Sequence, residues 1–116
     1  MATEVTLSRR DGRVVCEKCL VAARPLRRMR GLLGRGGLPP GEGILLRPAG
    51  SIHTFFMRFP IDAVFLDRDD VVVGIEPGIR PWRLAARKGA RAVLELPAGE
   101  CARRGLDVGD ALVAAS

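Results

Sequence analysis

The stretch SIHTFFMRFPIDAVFLD, residues 51–67, contains the only histidine of the chain and all four of its phenylalanines. If residues 51–57 form a strand, His53 shares one side with Phe55 and Met57, while isoleucine, threonine and phenylalanine share the other. Both sides are then largely apolar, as in a strand that is buried on both faces. The stretch therefore predicts a strand pair at the centre of a β-fold, with His53 partly withdrawn from water.

Short apolar segments, often β-branched, continue on both sides of this stretch and are separated by proline, glycine or acidic clusters. They predict strands at residues 4–7, 13–21, 44–47, 51–57, 63–67, 71–76, 92–96 and 111–114. The first two strands form a hairpin around the Asp-Gly turn at 8–12, and residues 67–70 form a second hairpin turn. Many short strands with turns between them predict a compact, mainly β fold, either a β-sandwich or a barrel.

Two segments have the pattern of short helices, at about 25–34 and 100–104. In the first, Pro25 suits an initial helical turn, and leucine and methionine recur at helical spacing before a glycine-rich run ends the pattern. Gly105 closes the second segment in the position that glycine favours after a helix.

Two other segments are predicted to be connections. The run LPPGEG at 38–43 is a loop, because its prolines and glycines disfavour both helix and sheet. Residues 77–91 are the least regular part of the chain and contain its only tryptophan, Trp82. We expect a long connection there, with a helical turn at 83–87.

The composition is that of one globular domain. The chain has 116 residues, of which 47% are hydrophobic and 28% charged, so residues 1–116 are predicted to fold as a single domain. Charged residues such as Glu4 and Arg9 lie where a signal peptide needs an unbroken apolar run, and no segment has the length of a membrane span. We therefore expect a cytoplasmic protein without a membrane partner.

The formal net charge of +6 could draw the chain toward nucleic acid. The arginines are spread along most of the chain, however, whereas a nucleic-acid footprint needs basic residues clustered on one face. This distribution argues against nucleic acid as the partner.

Cys16 and Cys19 have the C-x-x-C spacing of redox or zinc ligands. A structural zinc site needs four ligands, and the remaining candidates are only Cys101 and His53. The pair also lies within a predicted strand, which places the two sulfurs on opposite faces. We therefore expect no metal, no cofactor and three reduced thiols, as in a cytoplasmic protein.

Five segments of the chain together carry a family resemblance. They are RRMRGLLGR (27–35), GEGILL (41–46), SIHTFFMRFPIDAVFLD (51–67), VLELPAG (93–99) and GLDVGD (105–110). In this order and spacing they resemble the small bacterial and archaeal proteins of the DUF192 family, over roughly residues 14–113. The resemblance implies a compact, mostly β domain with no established reaction.

His53 and Asp62 are the two residues of the central stretch that could carry chemistry. In a strand, Asp62 shares its face with apolar residues, where its carboxylate needs backbone N–H groups, an arginine or an imidazole. In the functional interpretation, His53 and Asp62 meet across neighbouring strands and line a pocket. In the structural interpretation, Asp62 caps the turn at 59–61 and His53 is a core histidine with satisfied hydrogen bonds.

Four further residues are candidates for that pocket: Thr54, Met57, Arg30 and Glu95. Arg30 directly precedes Gly-Leu-Leu in a family-like motif, and an arginine near the core could pair with Asp62 or Glu95. Glu95 alternates with leucines, so it either faces solvent or forms such a pair.

These residues leave the function unknown and the oligomeric state open. They favour a domain that binds a small molecule or a protein partner at the pocket near His53. The first alternative is a hydrolase-like enzyme with His53 and Asp62 as acid and base, although nothing assigns a nucleophile. The second is a basic accessory protein on nucleic acid.

Overall fold

The computed structural model describes residues 3–22, 37–55 and 57–115. The strands are β1 Thr3–Arg9, β2 Val14–Ala22, β3 Glu42–Leu46, β4 Ser51–His53, β5 Ile61–Leu66, β6 Val72–Ile79, β7 Leu84–Ala86, β8 Ala92–Pro97 and β9 Leu112–Ala115, and the helix is α1 Glu100–Arg104. The prediction of a mainly β fold is confirmed. No helix in these ranges is long and apolar enough to cross a membrane. The helix predicted at 25–34 lies outside the described residues.

Seven strands form one curled sheet in the order β6-β5-β8-β3-β2-β1-β9. Only β2 and β3 pair in parallel; the other neighbours in this sheet are antiparallel. The curl brings the two edges of the sheet together at one end, where Val71 bridges Ala111 and the N–H of Val72 donates to the carbonyl of Asp110 at 2.9 Å. The sheet is therefore a half-barrel whose interior forms one apolar core.

Strands β5 and β8 are covered on both faces of the sheet, which explains why their sequences, IDAVFL and AVLELP, are so apolar. Val64 and Leu94 point into the barrel interior. Phe65 and Val93 belong to a second core on the outer face of the sheet. The segment between β3 and β5 covers this outer core with buried side chains such as Met57.

Strands β4 and β7 form a separate two-stranded antiparallel sheet over this outer core. Ile52 lies opposite Ala85, and both pack on the larger sheet. His53 lies opposite Leu84, so these two side chains point away from the core. Leu84 is 74% exposed, which makes the outer face of the small sheet part of the protein surface.

Three predictions for this region are wrong. The strand predicted at 51–57 ends at His53, because the backbone N–H and carbonyl of Thr54 bond to residues 82 and 83 instead of continuing a ladder. The helical turn predicted at 83–87 is strand β7, because the edge of β4 offers it hydrogen bonds. The central stretch is therefore not one strand pair, since β4 pairs with β7 whereas β5 lies between β6 and β8.

Most other boundaries agree closely with the sequence-based predictions. The opening hairpin, the turn at 67–70, the helix at 100–104 and the last strand are confirmed. Asp70 has φ of 60° in the second turn, and Gly105 has φ of 66° after the helix. Strand β3 begins at Glu42, inside the predicted loop at 38–43.

Candidate functional site

Thr54 is fully buried and joins two loops. Its O–H donates to the carbonyl of Arg80 at 2.7 Å, and its Oγ1 accepts from the N–H of Arg83 at 2.9 Å. Its backbone N–H donates to the carbonyl of Arg83 at 2.9 Å, and its carbonyl accepts from the N–H of Trp82 at 3.0 Å. These hydrogen bonds, called the Thr54 clamp below, fix residues 80–83 to the end of β4.

The Thr54 clamp holds Trp82 in a backbone conformation that residues other than glycine seldom adopt. Trp82 has φ of 66°. Such a conformation costs about 1–3 kcal/mol and persists only where the surrounding structure enforces it. Its side chain is nevertheless 55% exposed.

Three aromatic rings lie together beside the small sheet. The indole of Trp82 stacks on Phe55 with ring centroids 5.6 Å apart and an interplanar angle of 25°. The ring of Phe55 lies 4.8 Å from that of His53, whose Nδ1 accepts the N–H of Phe55 at 3.3 Å. We call these three side chains, of His53, Phe55 and Trp82, the aromatic shelf.

A groove of about 580 Å³ lies between strand β7 and the C-terminal end of β6, and it is lined by residues 76–80 and 83–87. Its charged side chains are Arg80, Arg83, Arg87 and Glu76. Arg87 forms an ion pair with Glu76 at 2.8 Å, and its guanidinium lies 5.5 Å above the ring of Phe65. Among the residues that the structure describes, no carboxylate forms an ion pair with Arg80 or Arg83. The groove therefore carries net positive charge.

The groove and the aromatic shelf are neighbouring parts of one surface. Arg83, which follows Trp82 in the chain, lines the groove. Leu84 also lines the groove and lies opposite His53 across the small sheet. Arg83 and Leu84 thus connect the groove to the aromatic shelf, while the three shelf rings themselves lie outside the groove lining.

Asp62 lies at the end of the barrel where α1 begins, and one of its partners, Gly78, also lines the groove. Its Oδ1 accepts the N–H groups of Gly78 and Gly99 at 2.8 and 3.1 Å, and its Oδ2 accepts the N–H of Cys101 at 3.0 Å. Gly99 occupies the N-cap of α1 and has no side chain with which to cap the helix, so Asp62 supplies the carboxylate from β5.

This arrangement corrects the predicted geometry of His53 and Asp62. The two residues lie in different sheets, and in the described structure they share no hydrogen bond. The prediction that they meet across neighbouring strands is wrong, because β4 does not pair with β5. Asp62 is a cap, as the structural interpretation predicts, but it caps α1 and not the turn at 59–61.

Glu95 lies in β8, between Ile44 of β3 and Ala63 of β5. It is 1% exposed, and neither carboxylate oxygen has a hydrogen-bond partner within the described ranges. Burial raises the pKa of Glu95 to about 7. The prediction that Glu95 could face solvent is wrong, while its predicted partner, Arg30, lies outside the described residues.

A bulge in β2 changes the expected placement of the two neighbouring cysteines. Val5 pairs with Cys19 and Leu7 with Cys16. The two cysteines are three residues apart in β2, whereas their partners are two residues apart in β1, so β2 contains one extra residue here. Both cysteines therefore point into the barrel interior, and the prediction of opposite faces is wrong.

The three cysteines, Cys16, Cys19 and Cys101, are buried and free. A hydrogen bond with Cys16, together with burial, raises the pKa of Cys19, and burial with the nearby Asp62 raises that of Cys101 to about 12. With raised pKa values, the thiols of Cys19 and Cys101 are poor nucleophiles at neutral pH. In the part of the chain that the structure describes, no group of three or more His, Cys, Asp and Glu residues is placed to hold a metal ion.

The structure thus divides the predicted site residues among several places. His53 belongs to the aromatic shelf and Thr54 to the clamp beneath it, whereas Met57 is buried in the outer core. The sequence-based site omits Arg80, Trp82 and Arg83. One available signal was the position of Trp82, the only tryptophan of a chain without tyrosine, in an irregular segment rich in arginine.

Comparison with known proteins shows sequence relatives along most of the chain. The model of the family DUF192, described as "Uncharacterized ACR, COG1430", matches residues 6–114. A UPF0127 protein of Thermococcus sibiricus is 32% identical over 113 residues, a match that covers 90% of this chain and 70% of that protein. A UPF0127 protein of Pyrococcus abyssi is 41% identical over 61 residues, which cover 52% of this chain and 51% of that protein.

Two solved structures share the fold. A "putative transcription regulator" of Sinorhizobium meliloti superposes with a TM-score of 0.80 at 26% identity, covering 98% of this chain and 94% of that chain. A protein of unknown function from Novosphingobium aromaticivorans superposes with a TM-score of 0.78 at 25% identity, covering 97% of this chain and 84% of that chain. The half-barrel and its small sheet are therefore an arrangement found beyond this chain.

Proposed function

The chain belongs to the DUF192 family, whose function is uncharacterized, and from its surface we propose that it is a ligand-binding domain. The proposed binding site is the aromatic shelf together with the groove beside it. The site lies next to the SIHTFF segment and includes His53 directly.

The observation that carries the proposal is the conformation of Trp82. A folded chain gains little by exposing an indole, and the left-handed backbone adds a further cost of about 1–3 kcal/mol. Strained residues of this kind cluster at ligand sites, where the strain sets the geometry before the ligand arrives. The Thr54 clamp supplies the hydrogen bonds that enforce this backbone conformation, and the indole itself stacks on Phe55.

The enzyme alternative has less support. It requires Asp62 to exchange protons with His53 or a substrate, yet three backbone N–H groups already occupy its carboxylate oxygens. Removal of Asp62 would also uncap α1. We therefore assign Asp62 to the stability of the fold and His53 to binding.

We propose a cytoplasmic setting for this binding. Three free thiols are the form that a reducing compartment maintains, and all three lie in buried positions. Cell fractionation tests this part of the proposal, and recovery of the native protein in an exported fraction would contradict it.

The binding proposal can be tested with the chain's own fluorophore. Trp82 is the only tryptophan, and the chain has no tyrosine, so intrinsic fluorescence reports on the aromatic shelf alone. We expect a screen of small molecules with planar rings to yield compounds that change this emission on binding. Calorimetry should then show that Trp82→Ala weakens binding at least roughly tenfold, as loss of a stacking platform predicts.

The matched control is Val108→Ala, which truncates another exposed apolar side chain, 62% exposed, in the turn before β9. This variant should bind as the native chain does. Equal binding by native protein and Trp82→Ala would contradict the proposal, and so would a screen in which no compound perturbs the emission.

A further inference from the structure

We infer that the ligand is a small anion that carries a planar ring, with its anionic group in the groove and its ring on the aromatic shelf. The inference rests on the proposed function and specifies the ligand class. The anionic group is a phosphate or a carboxylate, because both accept paired hydrogen bonds from a guanidinium.

The charges of the groove favour an anion. Glu76 pairs with Arg87, which leaves Arg80 and Arg83 as positive side chains without a carboxylate partner among the described residues. Both are exposed, so a ligand can reach them from solvent. Glu76 neutralises only Arg87, so a bound anion would neutralise the charge of Arg80 and Arg83.

The Thr54 clamp fixes the two halves of the site relative to one another. One threonine side chain bonds to the backbone of both Arg80 and Arg83, and its own carbonyl accepts the N–H of Trp82. The side chains of Trp82, Arg80 and Arg83 are therefore attached to one backbone segment, residues 80–83, that the Thr54 clamp holds in place. Such preorganisation lowers the entropic cost of binding a ligand that uses both.

The dimensions and edges of the groove favour a small molecule over an added peptide strand. Its volume of about 580 Å³ is that of an ordinary small-molecule pocket. At the groove a peptide strand could pair with the free edge of β7 or of β6. Strand β7 offers only three residues. Strand β6 contains Pro77 and is bulged where residues 76–79 oppose 61–63. Both features interrupt the ladder that strand addition needs.

The test compares charged and neutral members of two ligand pairs. The pairs are adenosine with adenosine monophosphate, and benzamide with benzoate, and inorganic phosphate serves as the anion without a ring. Binding is followed by Trp82 fluorescence and confirmed by calorimetry. We expect the charged member of at least one pair to bind at least roughly tenfold more tightly than its neutral partner. The pair that shows this preference identifies the phosphate or the carboxylate as the source of the anion.

Two variants locate the anionic group. Arg80→Gln and Arg83→Gln remove positive charge without touching the backbone atoms that the Thr54 clamp uses. Each should reduce the preference for the charged ligand roughly tenfold and leave the neutral ligand unaffected. The control is Arg68→Gln in the exposed turn at 67–70, which should keep the native preference.

Several results would overturn the inference. Equal binding of the charged and neutral members of both pairs would contradict the inferred anionic group. Inorganic phosphate binding as tightly as adenosine monophosphate would contradict the inferred ring. If affinity for single-stranded oligonucleotides rises with their length, the ligand is a nucleic-acid polymer and not a small molecule. If only neutral ring compounds bind, and their binding depends on Trp82, the proposed function holds and the inferred ligand class is wrong. If no compound shows binding that depends on Trp82, both the proposed function and the inferred ligand class are wrong.

Discussion

Replacement of Glu95 by glutamine should remove a large pH dependence from the stability of the fold. Glu95 is buried between Ile44 and Ala63, without a hydrogen-bond partner in the described part of the chain, and burial raises its pKa to about 7. The ordinary value for this carboxyl is 4.5. Once ionised, Glu95 therefore destabilises the folded state by about 3 kcal/mol.

The sign follows from proton binding in the two states. Below about pH 4.5 both states hold the proton, and Glu95 adds no pH dependence. Between about pH 4.5 and 7 the folded chain keeps a proton that the unfolded chain has lost, so the free energy of unfolding falls as the pH rises. Above about pH 7 this fall levels off because Glu95 is ionised in both states.

The assay is urea denaturation, followed by circular dichroism, of the native chain, Glu95→Gln and Glu95→Leu across this pH range. Glutamine adds a constant cost for a buried amide, so the test lies in the slope with pH and not in the absolute stability. The stability of the native chain should fall by about 3 kcal/mol relative to either variant as the pH rises. Glu95→Leu, which suits the apolar surroundings, should be more stable than the native chain above pH 7. Parallel pH profiles for all three proteins would refute the reasoning.

Other substitutions test the hydrogen bonds and packing that position the site. Thr54→Val keeps the shape of the side chain but removes its O–H, and should cost about 2 kcal/mol in urea denaturation and change Trp82 emission, whereas Thr54→Ser should retain both. Asp62→Ala leaves three N–H groups without their acceptor and should lower the free energy of unfolding by at least about 3 kcal/mol; a loss under 1 kcal/mol would contradict the capping role. Gly43→Ala places a Cβ 2.9 Å from the carbonyl oxygen of Glu95 and should cost about 1–3 kcal/mol; unchanged stability would show that the strands can separate there.

The sequence predicts the fold well where local chemistry determines it. The Asp-Gly turn, the 67–70 turn and the glycine after α1 each impose a backbone shape that the residue type reveals. The alternation of apolar residues likewise identifies most strands. These are local signals, and the structure confirms the elements that rest on them.

The candidate site is harder to predict because its geometry depends on contacts between distant segments. Thr54 ends β4 by bonding to residues about 30 positions later, a partnership that periodicity cannot reveal. The bulge in β2 exists only relative to its neighbour β1, so the sequence of β2 alone misplaces Cys19. Asp62 caps a helix that begins 38 residues later, at Glu100, because Gly99 provides no cap of its own.

The most direct test of the binding proposal is the indole N–H resonance of Trp82, which is unique in the chain, during titration with a ring-bearing anion. The proposed site predicts that this resonance shifts together with the backbone amides of Arg80, Arg83 and Leu84 and with the His53 ring. It also predicts that Arg83→Gln weakens the whole set of shifts. Shifts that cluster instead around β9 or the turn at 67–70, with the indole unmoved, would contradict it.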